Sequence, residues 1–235
     1  MRVRAVTFDA GGTLFEPVRP VGETYAAVAL RHGCATHPGR LHARFQEAWS
    51  RHSAASRPTG SAAVTPADEK AWWKGLTAEI FSPFGGFRDF DAFFEELHAT
   101  FAEPDHWHVF PEVPAALARL QGAGIRLAII SNWDGRLEAL CTRLGLRGQF
   151  EIVVASGSAG VSKPDAAVFR MTLAGLGVAP AETVHVGDSL RDDIHGALGA
   201  GLGALWVKRN GASGEAPAGV PVVGNLEEAV ALVLS

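Results

Sequence analysis

Cysteine is nearly absent from this chain of 235 residues: Cys34 and Cys141 are the only two, and neither lies in a C-x-x-C pair. That excludes a disulfide framework and a paired-cysteine motif, and both side chains read as ordinary reduced thiols. Long apolar runs are missing too. No stretch approaches the roughly 18 residues needed to cross a bilayer, and the opening MRVRAVTFD has no apolar segment of a signal peptide. The expectation is a soluble, cytoplasmic protein that does not engage a membrane. A basic excess is the third absence. The formal net charge is -4, so no cationic surface is available to neutralise nucleic acid or anionic lipid in bulk. One or two local cations still suffice for a single phosphate.

What remains is ordinary globular composition, 47% hydrophobic and 20% charged, arranged in two textures. Residues 2–9 and 110 onward carry short apolar runs: Val3 to Phe8, Ile125 to Ile130, Ile152 to Ala155, Thr183 to Val186 and Ala204 to Val207. They are apolar without alternation, as strands buried on both faces are. Helical patterns fall between them, at Val113 to Leu120, Arg136 to Leu144, Ala166 to Leu176, Arg191 to Leu198 and Leu226 to Leu234. This alternation predicts a doubly wound, Rossmann-like parallel sheet with helices on both faces, an α/β fold. Residues 16–107 differ: they show helical segments (Glu23 to His32, Leu41 to His52, Ala67 to Ile80, Phe90 to Phe101) and no buried strand. The economical division is an α/β core of residues 1–15 and 108–235 interrupted by an all-helical insertion, 16–107. Aromatic residues Phe45, Trp49, Trp72, Trp73, Phe93 and Phe94 recur there at helical spacing and read as the insertion's own core. Arg57 to Pro66 and Gly211 to Val220 read as loops.

Four strand ends carry chemistry. Asp9-Ala10-Gly11-Gly12-Thr13 follows the first strand, where parallel sheets place their ligands, with glycines that bring backbone N–H groups to an anion. Ser131-Asn132 follows the next strand, Lys163-Pro164 the one after it, and Gly187-Asp188-Ser189 with Asp192 and Asp193 the fourth. Singly, each has a plain structural explanation: a turn, a helix N-cap, a solvated lysine, an acidic loop. In sequence they deliver a carboxylate, a hydroxyl, a cation and an acidic pair to one edge of one sheet.

In that order the motifs DAGGTLF, ISNW, SKPD and VGDSLRDDIHGA resemble the haloacid dehalogenase superfamily of hydrolases over essentially the whole chain, and within it the haloacid-dehalogenase-like domain 3 group. The resemblance implies a helical cap inserted after the first motif, with the active site in the cleft beneath it. It implies that Asp9 is a nucleophile forming a covalent aspartyl intermediate. Thr13 and Ser131 are implied to hold the transferring group, Gly12 and Asn132 to contact substrate, and Lys163 to balance charge. Mg²⁺ is implied as cofactor, held by Asp9, the Gly11 carbonyl, Asp188 and Asp193, with Asp192 the alternative to Asp193. The implied partner is a small phosphorylated molecule; the chain is monomer or homodimer.

One position departs from the family's phosphatases. Two residues after the nucleophile they usually carry a second Asp as general acid and base, and here Gly11 stands instead. His106 and His108 are substitutes to weigh against plain surface histidines. The gap leaves three other readings open. Dehalogenases need no such acid but require a cap arginine (Arg40 or Arg44), and their fourth motif lacks the metal-binding Asp that Asp188 supplies. Phosphonoacetaldehyde hydrolases use a cap lysine, for which Lys70 and Lys74 are available. The third is a protein that binds phosphorylated ligands with little turnover.

Overall fold

The computed structural model describes residues 3–54, 65–209 and 214–235. Most of the loop expected at Arg57 to Pro66, and the start of that at Gly211 to Val220, lie outside the described residues. The chain divides into two compact units, Met1–Glu16 with Val109–Ser235, and Pro17–His108.

The first unit is built on strands β1 (Ala5–Phe8), β4 (Arg126–Ser131), β5 (Ile152–Ala155), β6 (Thr183–Gly187), β7 (Gly203–Val207) and β8 (Val222–Val223). They form one six-stranded sheet in the order β5-β4-β1-β6-β7-β8, every pair parallel. Its helices are α5 (Val113–Gly122), α6 (Leu137–Arg143), α7 (Ser156–Ala159), α8 (Ala166–Leu176), α9 (Gly196–Gly199) and α10 (Leu226–Leu234). Val6, Phe8, Leu127, Ile129 and Val186 are buried, as the unbroken apolar runs require. Chain order moves from β1 through β4 to the edge at β5, then returns to β6 on the other side of β1. The switch point is therefore between β1 and β6, the crevice where open α/β sheets bind ligands. Register sharpens this: Phe8 lies level with Ile129 and with Val186, so Asp9 just past β1, Ser131 as the last residue of β4 and Asp188 just past β6 all sit at strand ends that are in line.

The second unit holds α1 (Val21–Arg31), α2 (Pro38–Ala54), α3 (Pro66–Phe81) and α4 (Phe90–Thr100). Thr65 caps α3 through a reciprocal box with Asp68, which stops the chain fraying at Pro66. Tyr25, Leu41, Leu76, Ile80 and Phe93 are buried in its core, with Phe45, Trp49, Trp72 and Trp73 packed against them. Phe94 is buried as well.

Two differences from the sequence reading have physical causes. Short strands β2 (Phe15–Pro17) and β3 (Trp107–Val109) pair where the chain leaves and re-enters the first unit; three residues carry too little periodicity to be seen. The helix expected from Arg191 to Leu198 is instead a π-type turn, Leu190–His195, followed by α9. The Ser189 carbonyl accepts from both Asp193 and Ile194 N–H groups, at 3.0 and 3.2 Å, and the bond to Ile194 widens the turn. No described helix is long and apolar enough to cross a membrane.

Candidate active site

The loop after β1 closes on itself: Leu14 N–H donates to the Ala10 carbonyl at 2.8 Å and Gly12 N–H to that of Phe15, also at 2.8 Å. Gly12 has φ +80°, and a Cβ there would fall 2.5 Å from Asp188 Oδ2, so only glycine fits. Gly187 is equally constrained, since its Cβ would meet Asp193 Cγ at 2.2 Å. Two glycines thus make the room in which the acidic side chains converge.

Lys163 is the cation of this cluster. Its Nζ, buried, donates to Asp9 Oδ1 and to Asp193 Oδ1, each at 2.6 Å. Ser131 Oγ donates to Asp9 Oδ1 at 2.9 Å. Both donors therefore land on one oxygen of Asp9. Oxygens of Asp9, Asp188 and Asp193 lie within 4.8 Å of one another, an arrangement able to hold a metal ion; Asp192 is outside this group. Trp206, almost fully buried, donates its indole N–H to the Asp188 backbone carbonyl at 2.9 Å and fixes that residue from below.

Charge is unequal here, three carboxylates against one ammonium. Burial pushes Asp188 well above the ordinary carboxylate range, and the charges of Asp9 and Asp193 push it further. Burial also raises Asp9, against the pull of Lys163. For Asp193 burial is overcome by Lys163 and by a hydrogen bond from His185, and the carboxyl is held below its usual range. Lys163 is held above the ordinary lysine range: burial lowers it, but Asp193 and Asp9 together win. Asp192 is pushed up to about 6, by burial and then by Asp193. An all-oxygen donor set with surplus negative charge suits a hard divalent cation such as Mg²⁺.

Thr13 Oγ1 is completely buried and finds no hydrogen-bond partner among the described residues. Asn132, expected to touch substrate, is engaged elsewhere. Its Nδ2 donates to the Lys163 carbonyl and its Oδ1 accepts from the Lys163 N–H, both at 2.9 Å, so it holds the lysine's backbone. Gly11 sits in the turn, and a Cβ on it would lie 3.0 Å from Cζ3 of Trp133. The cations weighed from the insertion have partners within their own unit. Arg44 donates to the Ile80 and Glu79 carbonyls, Arg40 lies over Phe84, Lys70 pairs with Glu95, and Lys74 with Asp91. Cys141 is buried and its thiol pushed up to about 12, by burial first, which leaves it inert at neutral pH.

Sequence reading missed four contributors: Trp133, His185, Trp206 and Arg209. Trp133 stands in the ISNW motif, but the sequence assigns a role to none of the four, and only the three-dimensional contacts reveal one. Arg209 donates to the Thr13 carbonyl at 2.9 Å, pairs with Glu112 at 2.6 Å and lies 3.6 Å over the Phe110 ring. It ties the loop after β1 to the segment that follows β3. Arg209→Met is expected to cost about 2–3 kcal/mol in thermal unfolding, since it strands a mostly buried Glu112. Burial raises Glu112, but its hydrogen bonds and Arg209 hold it below the ordinary glutamate range. The pair's contribution is therefore present above that range and lost on acidification; an Arg209→Met deficit that does not shrink in acid would contradict the assignment.

The family model for haloacid dehalogenase-like hydrolases matches residues 3–201. Haloacid dehalogenase-like hydrolase domain-containing protein 3 of Mus musculus is 33% identical over 211 residues, covering 88% of this chain and 82% of the relative. A phosphoserine phosphatase of Thermus thermophilus is 34% identical over 191 residues, covering 80% and 73%. Among solved structures, the L-2-haloacid dehalogenase RSc1362 shares the fold, with a TM-score of 0.80 at 21% identity and full coverage of both chains. The chain belongs to the haloacid dehalogenase-like hydrolase family.

Proposed function

We propose that this hydrolase is a Mg²⁺-dependent phosphatase for a small phosphorylated molecule whose leaving group departs without needing a proton. One observation carries the reading: three carboxylates, two buried and one half-buried, converge against a single lysine among the described residues. A metal-free dehalogenase has no use for that surplus charge, whereas phosphoryl transfer needs a divalent cation. Asp9, Asp188 and Asp193 would hold the ion, with Gly11 offering its carbonyl. When bound, Mg²⁺ screens the nucleophile from the phosphate's charge and stabilises the charge that develops in transfer.

The chain's own groups do the rest. Asp9 attacks phosphorus and the leaving oxygen departs with its electron pair; water then attacks the phosphorus of the aspartyl phosphate, releasing inorganic phosphate and regenerating Asp9. Thr13 Oγ1 and Ser131 Oγ donate to phosphoryl oxygens, and Lys163 holds Asp9 in its reactive orientation. Asn132 and Trp206 act by positioning Lys163 and Asp188. The helical unit, Pro17–His108, is proposed as the cap that selects the substrate.

Gly11 supplies no general acid, a group worth about 10²–10⁴ in rate for a poor leaving group. Aryl or acyl phosphates should therefore turn over far faster than alkyl phosphates such as phosphoserine. Gly11→Asp alone is expected not to recover alkyl activity, because the Trp133 ring stands against its Cβ; Gly11→Asp with Trp133→Ala should raise it at least about tenfold. Recovery by the single variant would refute this account of Trp133. The direct test is hydrolysis of an aryl phosphate with and without Mg²⁺, beside a 2-haloacid without metal. Mg²⁺-dependent phosphate release supports the proposal; halide release, or no release of either, overturns it.

A further inference from the structure

His185 is a fully buried histidine that the proposed chemistry leaves unused. It lies on β6 directly beside Thr7 of β1, with the ring of Phe169 perpendicular to its own. Both ring nitrogens are engaged: Nδ1 is 2.8 Å from Thr7 Oγ1, and Nε2 is 3.1 Å from Asp193 Oδ1. The neighbours fix the tautomer. An ionised Asp193 can only accept, so Nε2 carries the proton, and Nδ1 accepts from the Thr7 hydroxyl.

Asp193 Oδ1 also accepts from Lys163 Nζ at 2.6 Å, while Oδ2 accepts from the Ser189 N–H at 2.8 Å. Both in-plane lone pairs of Oδ1 are thus occupied and one on Oδ2 remains. Three donors from three directions set the plane of this carboxylate, and Gly187 gives it room to lie there.

We infer that His185 is a positioning residue which, backed by Thr7, turns the Asp193 carboxylate so that Oδ2 is the oxygen left to ligate a divalent cation. The inference rests on the proposed metal role of Asp193. Donors behind a ligand typically change metal affinity by about 10–100-fold when removed.

The test is binding of Mn²⁺ to the full chain without substrate, followed by electron paramagnetic resonance, in wild type, His185→Gln and His185→Leu. Glutamine can donate to Asp193 and accept from Thr7; leucine can do neither. The expected result is Mn²⁺ binding weakened about tenfold or more in His185→Leu and within about threefold of wild type in His185→Gln. Equal affinity in all three overturns the inference alone, as does equal weakening in both variants, which would assign the effect to ring packing. Failure of the wild type to bind Mn²⁺ overturns the metal reading itself and the inference with it. If His185→Leu does not fold, Thr7→Val takes its place: it removes the hydroxyl that backs Nδ1 and holds the ring against Asp193, and is expected to weaken Mn²⁺ binding; unchanged affinity there overturns the inference.

Discussion

Asp9→Asn is expected to abolish turnover, by about 10⁵-fold or more, while leaving the protein folded. Removing a covalent nucleophile elsewhere costs on the order of 10⁶ in kcat, and an amide oxygen cannot form and release an acyl phosphate in its place. The fold should tolerate the change. Asparagine is nearly isosteric, its Oδ1 still accepts from Ser131 and Lys163, and one like charge leaves a site that holds three. Without divalent cation, Asp9→Asn should unfold at the same temperature as wild type or slightly above it, the usual relation between a crowded active site and stability. Phosphate release from an aryl phosphate, followed beside thermal unfolding, checks both parts. A folded variant retaining even a hundredth of wild-type activity would contradict Asp9 as nucleophile.

Lys163→Met should act on stability as strongly as on activity. The ammonium is buried and bridges Asp9 and Asp193 at 2.6 Å each. Methionine fills the volume but leaves two buried carboxylates facing one another. Breaking one side of a buried pair typically costs about 3–5 kcal/mol, which for a chain of this length corresponds to roughly 10 °C in the unfolding midpoint. Turnover should be lost as well, since nothing then orients Asp9. Mg²⁺ is expected to return part of the lost stability by taking over the charge balance. A metal-free Lys163→Met that melts with wild type would show that the lysine does not carry the cluster's charge.

The sheet was legible because its strands are buried on both faces: Ile152 to Ala155 and Ala204 to Val207 read as strands from composition alone, and β5 and β7 are there. The limits are equally specific. β8 is two residues at the sheet edge, Val222 and Val223, and no pattern can mark so short a strand. Chemistry at the strand ends was visible because Asp9, Ser131, Lys163 and Asp188 each follow an apolar run, and parallel strands bring such ends together. What the sequence hides is direction. Asn132 sits beside a site residue yet turns to the Lys163 backbone. His185, one of five residues in a buried strand, reads as core until its two ring nitrogens are seen to face Thr7 and Asp193. Trp133 has no meaning for Gly11 until the loop after β4 folds over the loop after β1.

The measurement closest to the central claim is to quench the enzyme with borohydride during turnover of an aryl phosphate, then sequence its peptides by mass spectrometry. The account predicts that Asp9 is reduced to homoserine, because the acyl phosphate is the only activated carboxyl formed, and that this requires Mg²⁺. Phosphate release at full rate with Asp9 intact at every quench time would contradict it, and would assign the attack on phosphorus to water.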